Sequence, residues 1–161
     1  MQQLDQATYR QATSADIPAM SVIRLAVKEN ALTNPLAITQ QMYEDYLDKL
    51  GRGWVCELDG SIVGFSYADK QDDSIWALFI APEYEGHGIG KALLKLAVDW
   101  LFVSGASAIS LGTTANTRAD RFYLAQGWMR GDMKNAKEVG YTLQRPASLD
   151  KSLDETASLQ P

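Results

Sequence analysis

The chain is predicted to fold as one α/β domain, and three observations predict it. Strand-like and helix-like segments alternate along its length. A strong two-residue hairpin signal stands at Asp59-Gly60. An apolar run from Ile75 to Ile80 leads through a glycine cluster into an amphipathic helix. Taken in order, Tyr9 to Thr13 alternates like a first strand, and Ser14-Ala15-Asp16-Ile17-Pro18 supplies cap residues and an early proline for a helix through about Lys28. A loop rich in Asn30, Thr33, Asn34 and Pro35 follows, then a second helix from about Thr39 to Leu50. Gly53 to Leu58 and Ser61 to Tyr67 flank the hairpin turn. Ile75 to Ile80, bounded by Asp72-Asp73-Ser74 and by Ala81-Pro82, has the pattern of a strand covered on both faces. From Ile89 onward, Ile89, Ala92, Leu93, Leu96, Ala97, Trp100 and Leu101 fall along one helical stripe. Ala108 to Leu111 is a short strand. Asn116 or Thr117 caps a helix of about ten residues, with Asp120 completing a capping box from Thr117 and Gly127 ending it. Trp128 to Met133 and Val139 to Leu143 close the domain as a strand pair around Asn135.

Composition narrows the function classes. The 161 residues are 46% apolar and 22% charged, enough for one ordinary core, with the domain at residues 1–145. Residues 146–161, rich in Ser, Leu, Asp and Ala without sustained periodicity, are expected to form a mobile tail. No apolar run approaches the ~18 residues of a membrane span, and the N-terminus lacks a signal-peptide pattern, so no membrane role is expected. A lone cysteine, Cys56, excludes a disulfide framework, favours cytoplasmic residence and is expected to pack in the core. The single histidine, His87, lies inside the glycine cluster, which removes zinc-hydrolase spacing and Ser/His or Cys/His triads; no metal is expected. A net charge of −5 without a basic stripe argues against a nucleic-acid surface and suits a cationic partner.

The chemistry concentrates at Gly86, Gly88 and Gly90, between the apolar run and the long helix. Backbone N–H groups that crowd together there, at the positive end of a helix dipole, form an anion site that fits a phosphate. The spacing separates the families that build such sites. A nucleotide-triphosphate loop, G-x-x-x-x-G-K-S/T, fails because Glu85 stands at the first glycine and Ala92 at the hydroxyl. The dinucleotide fingerprint G-x-G-x-x-G fails because Lys91 or Leu93 falls at its third glycine.

Glu85-Gly86-His87-Gly88-Ile89-Gly90 resembles the Q/R-x-x-G-x-G/A signature of the GNAT superfamily of N-acetyltransferases, with Glu85 in place of the leading Gln or Arg. A second block, Asn116-Thr117-Arg118-Ala119-Asp120-Arg121-Phe122-Tyr123-Leu124-Ala125-Gln126-Gly127-Trp128, is similar to that family's N-x-x-A-x-x-F-Y-x-x-x-G-F/W segment, in the family's order and separation. The resemblance covers about Tyr9 to Arg145.

It implies an acyl-CoA acyltransferase fold: a mixed, mostly antiparallel central sheet flanked by helices. It also implies acetyl-CoA as cosubstrate, without a metal. Leu78, Phe79 and Ile80 would pair with the pantetheine arm; Gly86, His87, Gly88, Ile89, Gly90, Lys91 and Asn116 would complete the cofactor site. Tyr123 would protonate the departing thiolate. A carboxylate at Glu85 would weaken the diphosphate contact unless it turns to solvent, with Lys91 offsetting its charge.

The reaction implied is direct attack by an amine, which must first lose a proton because an ammonium has no lone pair. Several members place a glutamate where this chain has Leu111, so the first candidate for the base is Asp73, followed by Glu83, Glu57 and Glu138. Trp76 or Trp128 would border the acceptor pocket. The expected activity is acetyl transfer to a primary amine of a small, cationic molecule. Protein lysine or amino-terminal acetylation, and a non-catalytic acyl-CoA-binding module, are the alternatives. A homodimer is consistent with the resemblance.

Overall fold

A computed structural model describes residues 6–26 and 40–147. The predicted 30–35 loop and nearly all of the predicted 146–161 tail lie outside the described residues. The elements are β1 (Thr8–Gln11), α1 (Ile17–Ala26), α2 (Gln40–Asp48), β2 (Gly51–Leu58), β3 (Ser61–Asp69), β4 (Ser74–Ile80), α3 (Ile89–Val103), β5 (Ala108–Thr114), α4 (Arg118–Ala125), β6 (Met129–Met133) and β7 (Glu138–Gln144). Their order is the predicted one.

The seven strands form one sheet in the order β1-β2-β3-β4-β5-β7-β6. Every neighbouring pair is antiparallel except β4 and β5. Asp59 (φ 53°) and Gly60 (φ 77°) make the β2–β3 turn, both in the left-handed region that a two-residue hairpin requires.

Side chains alternate across β2 and β3, and both faces are covered, so these strands are buried almost throughout. On one face Val55, Phe65, Tyr67 and Ala77 pack with Ile17, Met20 and Ile23 of α1 and Tyr43 of α2. On the other, Cys56, Val63, Ile109, Leu111, Val139 and Tyr141 pack with Leu93, Ala97 and Leu101 of α3 and Tyr123 of α4. Cys56 is a fully buried core side chain. Ser66, also fully buried, is satisfied by donating from Oγ to the Leu93 carbonyl at 3.0 Å, which ties α3 to the sheet centre.

The departure that positions the site is at β4. Its predicted burial on both faces holds for Ile75 and Ala77, but Trp76, Leu78, Phe79 and Ile80 are only half-buried. The reason lies in the parallel pair: β4 meets β5 at Ser74 opposite Ser110 alone, with Ser110 N–H donating to the Asp73 carbonyl at 3.1 Å, and the strands then part. Toward β3, Leu78, Phe79 and Ile80 remain paired with Ser66, Phe65 and Gly64. Toward β5 a wedge opens.

Candidate active site

The wedge exposes polar backbone of Leu78 to Ile80 on the β5 side, and buried groups of that kind need a partner. At the end of β4 the chain makes a one-turn 3-10 helix at Pro82–Tyr84 and runs extended through Glu85. It then turns through Gly86 (φ 83°) and Gly88 (φ 82°), conformations that favour glycine. Gly88 is the N-cap of α3 and offers no side-chain acceptor, so the first N–H groups of that helix lack a capping side chain. A side chain built at Gly88 would meet nothing within 4 Å. One at Gly90 would point between Ile80 and Phe122, at 3.7 and 3.8 Å.

Those two side chains border a cavity of about 350 Å³. Its walls are Leu78, Phe79, Ile80, Ala119 and Phe122; Gly86, Gly88 and Gly90 form one end, where the charged residues Glu85, Lys91 and Arg118 gather. A largely apolar chamber with backbone donors and two cations at one end suits a ligand with an uncharged arm and an anionic head. For His87 and Ile89 the turn presents backbone and not side chain to the cavity, and the side chains of these two and of Asn116 stand outside its lining. His87 is exposed outside the lining, the Ile89 side chain is buried in the core, and Asn116 is exposed in a left-handed turn (φ 64°) that does not reach the cavity.

A second cavity of about 360 Å³ opens through the same gap toward Trp76. Leu111 to Thr114 of β5 and Asn135, Lys137 and Glu138 of the β6–β7 hairpin form its far side. Leu78, Phe79 and Tyr123 line both cavities. Tyr123 therefore stands where they meet.

The fold fixes Tyr123 through α4. Thr117 caps the helix, its hydroxyl accepting from Asp120 N–H at 3.3 Å. The Asp120 carboxylate accepts from Asn116 N–H at 2.8 Å, so the reciprocal half of the predicted capping box is displaced by one residue. Asp120 also receives Arg130 through Nε at 3.0 Å and Nη2 at 3.1 Å, and the Tyr141 hydroxyl. Arg130 foremost, then Tyr141 and the Asn116 amide, hold the Asp120 carboxyl well below the usual carboxylate range. One buried carboxylate thus binds the start of α4 to β6 and β7. The helix ends at Gly127 (φ 89°), where Trp128 N–H donates to the Tyr123 carbonyl at 3.1 Å. The Tyr123 ring is clasped by Phe122, Trp128 and Tyr141 at centroid distances of 5.2, 5.8 and 5.8 Å. Burial alone raises its phenol pKa, so it is a protonated donor at neutral pH.

With this geometry in view, the sequence matches the model of the Acetyltransferase (GNAT) family over residues 20–128. The chain belongs to the GNAT acetyltransferase family. Curated relatives include mycothiol acetyltransferase of Pseudarthrobacter chlorophenolicus, 30% identical over 60% of this chain and 32% of that protein. Aminoglycoside N(6′)-acetyltransferase type 1 of Stenotrophomonas maltophilia is 27% identical over 64% of this chain and 72% of that one. The chain thus spans about a third of the length of the mycothiol enzyme. The fold is also that of the PaiA N-acetyltransferase of Thermoplasma acidophilum, solved with coenzyme A. That structure has a TM-score of 0.75 at 13% identity, over 86% of this chain and 99% of that one.

Within this GNAT domain the predicted bases part company. Asp73 sits at the closed end of the wedge (φ 49°), about 16 Å along β4 from Leu78 at ~3.3 Å per residue, and lines neither cavity. Glu83 is exposed in the 3-10 turn, and Glu57 is held by Arg10 across β1 and β2. Glu138, the last of the candidates, is the one that lines the second cavity with Tyr123. Of the two tryptophans, Trp76 borders that cavity and Trp128 is core. Sequence reasoning missed Arg118, Ala119, Phe122 and Gln126 as lining residues of the first cavity. They lay within the second block, but only the approach of α4 to the glycine turn reveals their role. Among the described residues, no group of three His, Cys, Asp or Glu side chains is placed to hold a metal, and no helix is long and apolar enough to cross a membrane.

Proposed function

We propose that the chain is an acetyl-CoA-dependent N-acetyltransferase that acts on the primary amine of a small molecule, cationic when free in solution. The observation that carries this reading is the meeting of two cavities at Tyr123: one with a glycine turn and two cationic side chains at its end, the other bordered by a carboxylate.

The first cavity fits the cosubstrate by the chemistry of its donors. Gly86, Gly88 and the start of α3, with Lys91 and Arg118, would hold phosphates; the free edge of Leu78 to Ile80 would pair with the amides of the pantetheine arm. Acetyl-CoA supplies the thioester that the amine attacks. Glu138 would attract the ammonium and take its proton, directly or through water, which frees the lone pair. Leu78, Phe79 and Trp76 keep the junction apolar and strengthen each polar contact there. Tyr123 would donate its hydroxyl proton to the sulfur as the carbon–sulfur bond breaks, while the attacking nitrogen gives its second proton to water and Tyr123 is reprotonated from solvent.

The decisive experiment is release of free coenzyme A thiol from acetyl-CoA across a panel of small amines, amino acids and short peptides, with mass spectrometry of the acetylated product. Turnover with a small cationic amine supports the reading. Preference for a peptide lysine or amino-terminus would move the assignment to protein acetylation. Tight acetyl-CoA binding without turnover on any acceptor would leave a binding module.

A further inference from the structure

The acidic residue of the glycine turn does not face the anion site alone. Arg118 Nη1 lies 3.3 Å from Glu85 Oε2, the side chains being 55% and 33% exposed. Arg118 Nη2 also lies 3.5 Å from the point where a Cβ at Gly86 would stand, so the guanidinium is spread over the turn itself. Both residues line the first cavity with Lys91, and with Glu85 ionised the three charged side chains sum to one positive charge.

We propose that Glu85 and Arg118 form an exchangeable ion pair, in which Arg118 transfers from the Glu85 carboxylate to a phosphate of the cosubstrate and Glu85 holds affinity below what the turn would otherwise give. This rests on the acetyl-CoA reading above. An exposed ion pair contributes little to stability, so it parts readily. A guanidinium on a phosphate makes stronger, two-pronged hydrogen bonds, and Arg suits that geometry better than Lys. Glu85 acts in two ways against the anion: it occupies the cation in the free protein, and it repels the phosphate once the cation has moved. The glycine turn thus carries its cation on a neighbouring helix, and its own acidic residue sets how tightly the anion is held.

The test is titration calorimetry of the full chain with acetyl-CoA at low and high salt, with S-acetylpantetheine, which lacks phosphates, as the control ligand. Arg118→Gln should weaken acetyl-CoA binding about tenfold and Glu85→Gln should tighten it about threefold to tenfold, both effects shrinking with salt. Arg118→Gln should cost more in the Glu85→Gln background than in the wild type, because the competitor for Arg118 is gone. Binding of S-acetylpantetheine should respond to neither change. Both side chains are partly exposed, and melting temperatures check that the variants are folded. Unchanged or weakened binding in Glu85→Gln, or unchanged binding in Arg118→Gln, overturns the exchange while leaving the acetyl-CoA reading in place. If wild-type protein does not bind acetyl-CoA, that reading fails and the exchange with it.

Discussion

Replacing Tyr123 with phenylalanine separates the chemistry of this site from its packing. The ring contacts with Phe122, Trp128 and Tyr141 survive, and so does α4. Among the described residues no hydrogen bond to the Tyr123 hydroxyl contributes to its raised pKa, which has burial as its whole cause. Its removal therefore orphans no partner and should change stability by no more than about 0.5 kcal/mol. Removal of the ring itself would instead cost about 3–5 kcal/mol, which makes alanine the wrong probe. A positioned general acid contributes on the order of 10²-fold to the rate, so kcat should fall by about one to three powers of ten, or ~1.4–4 kcal/mol of transition-state stabilisation. Single-turnover kinetics with the best acceptor, beside calorimetric binding of acetyl-CoA and thermal melts, should show the loss confined to chemistry. Wild-type turnover in Tyr123→Phe across the pH range, with chemistry rate-limiting, would refute the proton-donor role. A large fall in melting temperature without a specific loss of rate would refute the packing analysis instead.

Gly90→Glu places a side chain between Ile80 and Phe122 with room for its Cβ, so the fold should hold while the cavity fills and gains a negative charge; calorimetry should find acetyl-CoA binding weakened at least about tenfold. Glu138→Gln should lower kcat/KM for the amine by about 10- to 100-fold in steady-state assays with acetyl-CoA affinity preserved, and an unchanged kcat/KM would transfer proton removal to water alone. Asp120→Asn breaks the ties to Arg130 and Tyr141 and should destabilise the domain by about 1–3 kcal/mol in urea titrations at neutral pH. Because the folded pKa of Asp120 is depressed, its contribution is fully present above the unfolded value of about 3.9 and is lost as pH falls through the folded one; the gap between wild type and variant should therefore begin to narrow only below about pH 4 and close progressively at more acid pH.

Much of the domain was legible in the chain because local rules and tertiary structure agree there. Asp59-Gly60 specified its turn by backbone preference, the stripe from Ile89 to Leu101 specified a helix by period, and the glycines at 86 and 88 marked a turn that needs positive φ. The two motif blocks were sufficient to indicate the family. What the sequence left open concerns residues far apart in the chain whose proximity no period or spacing encodes. Asp73 looked suitable because it adjoins the central strand, yet the parallel pairing at Ser74 and Ser110 puts it at the closed end of the wedge. Glu138 lines the second cavity because β7 pairs with β5 and carries the hairpin to the opening. The Glu85–Arg118 pair joins a turn to a helix 33 positions later, and only the approach of α4 to the start of α3 brings them within reach. Local propensity and pattern determined the elements and the glycine turn; the splay of two strands, a long-range property of the sheet, decided which charged side chains share a cavity.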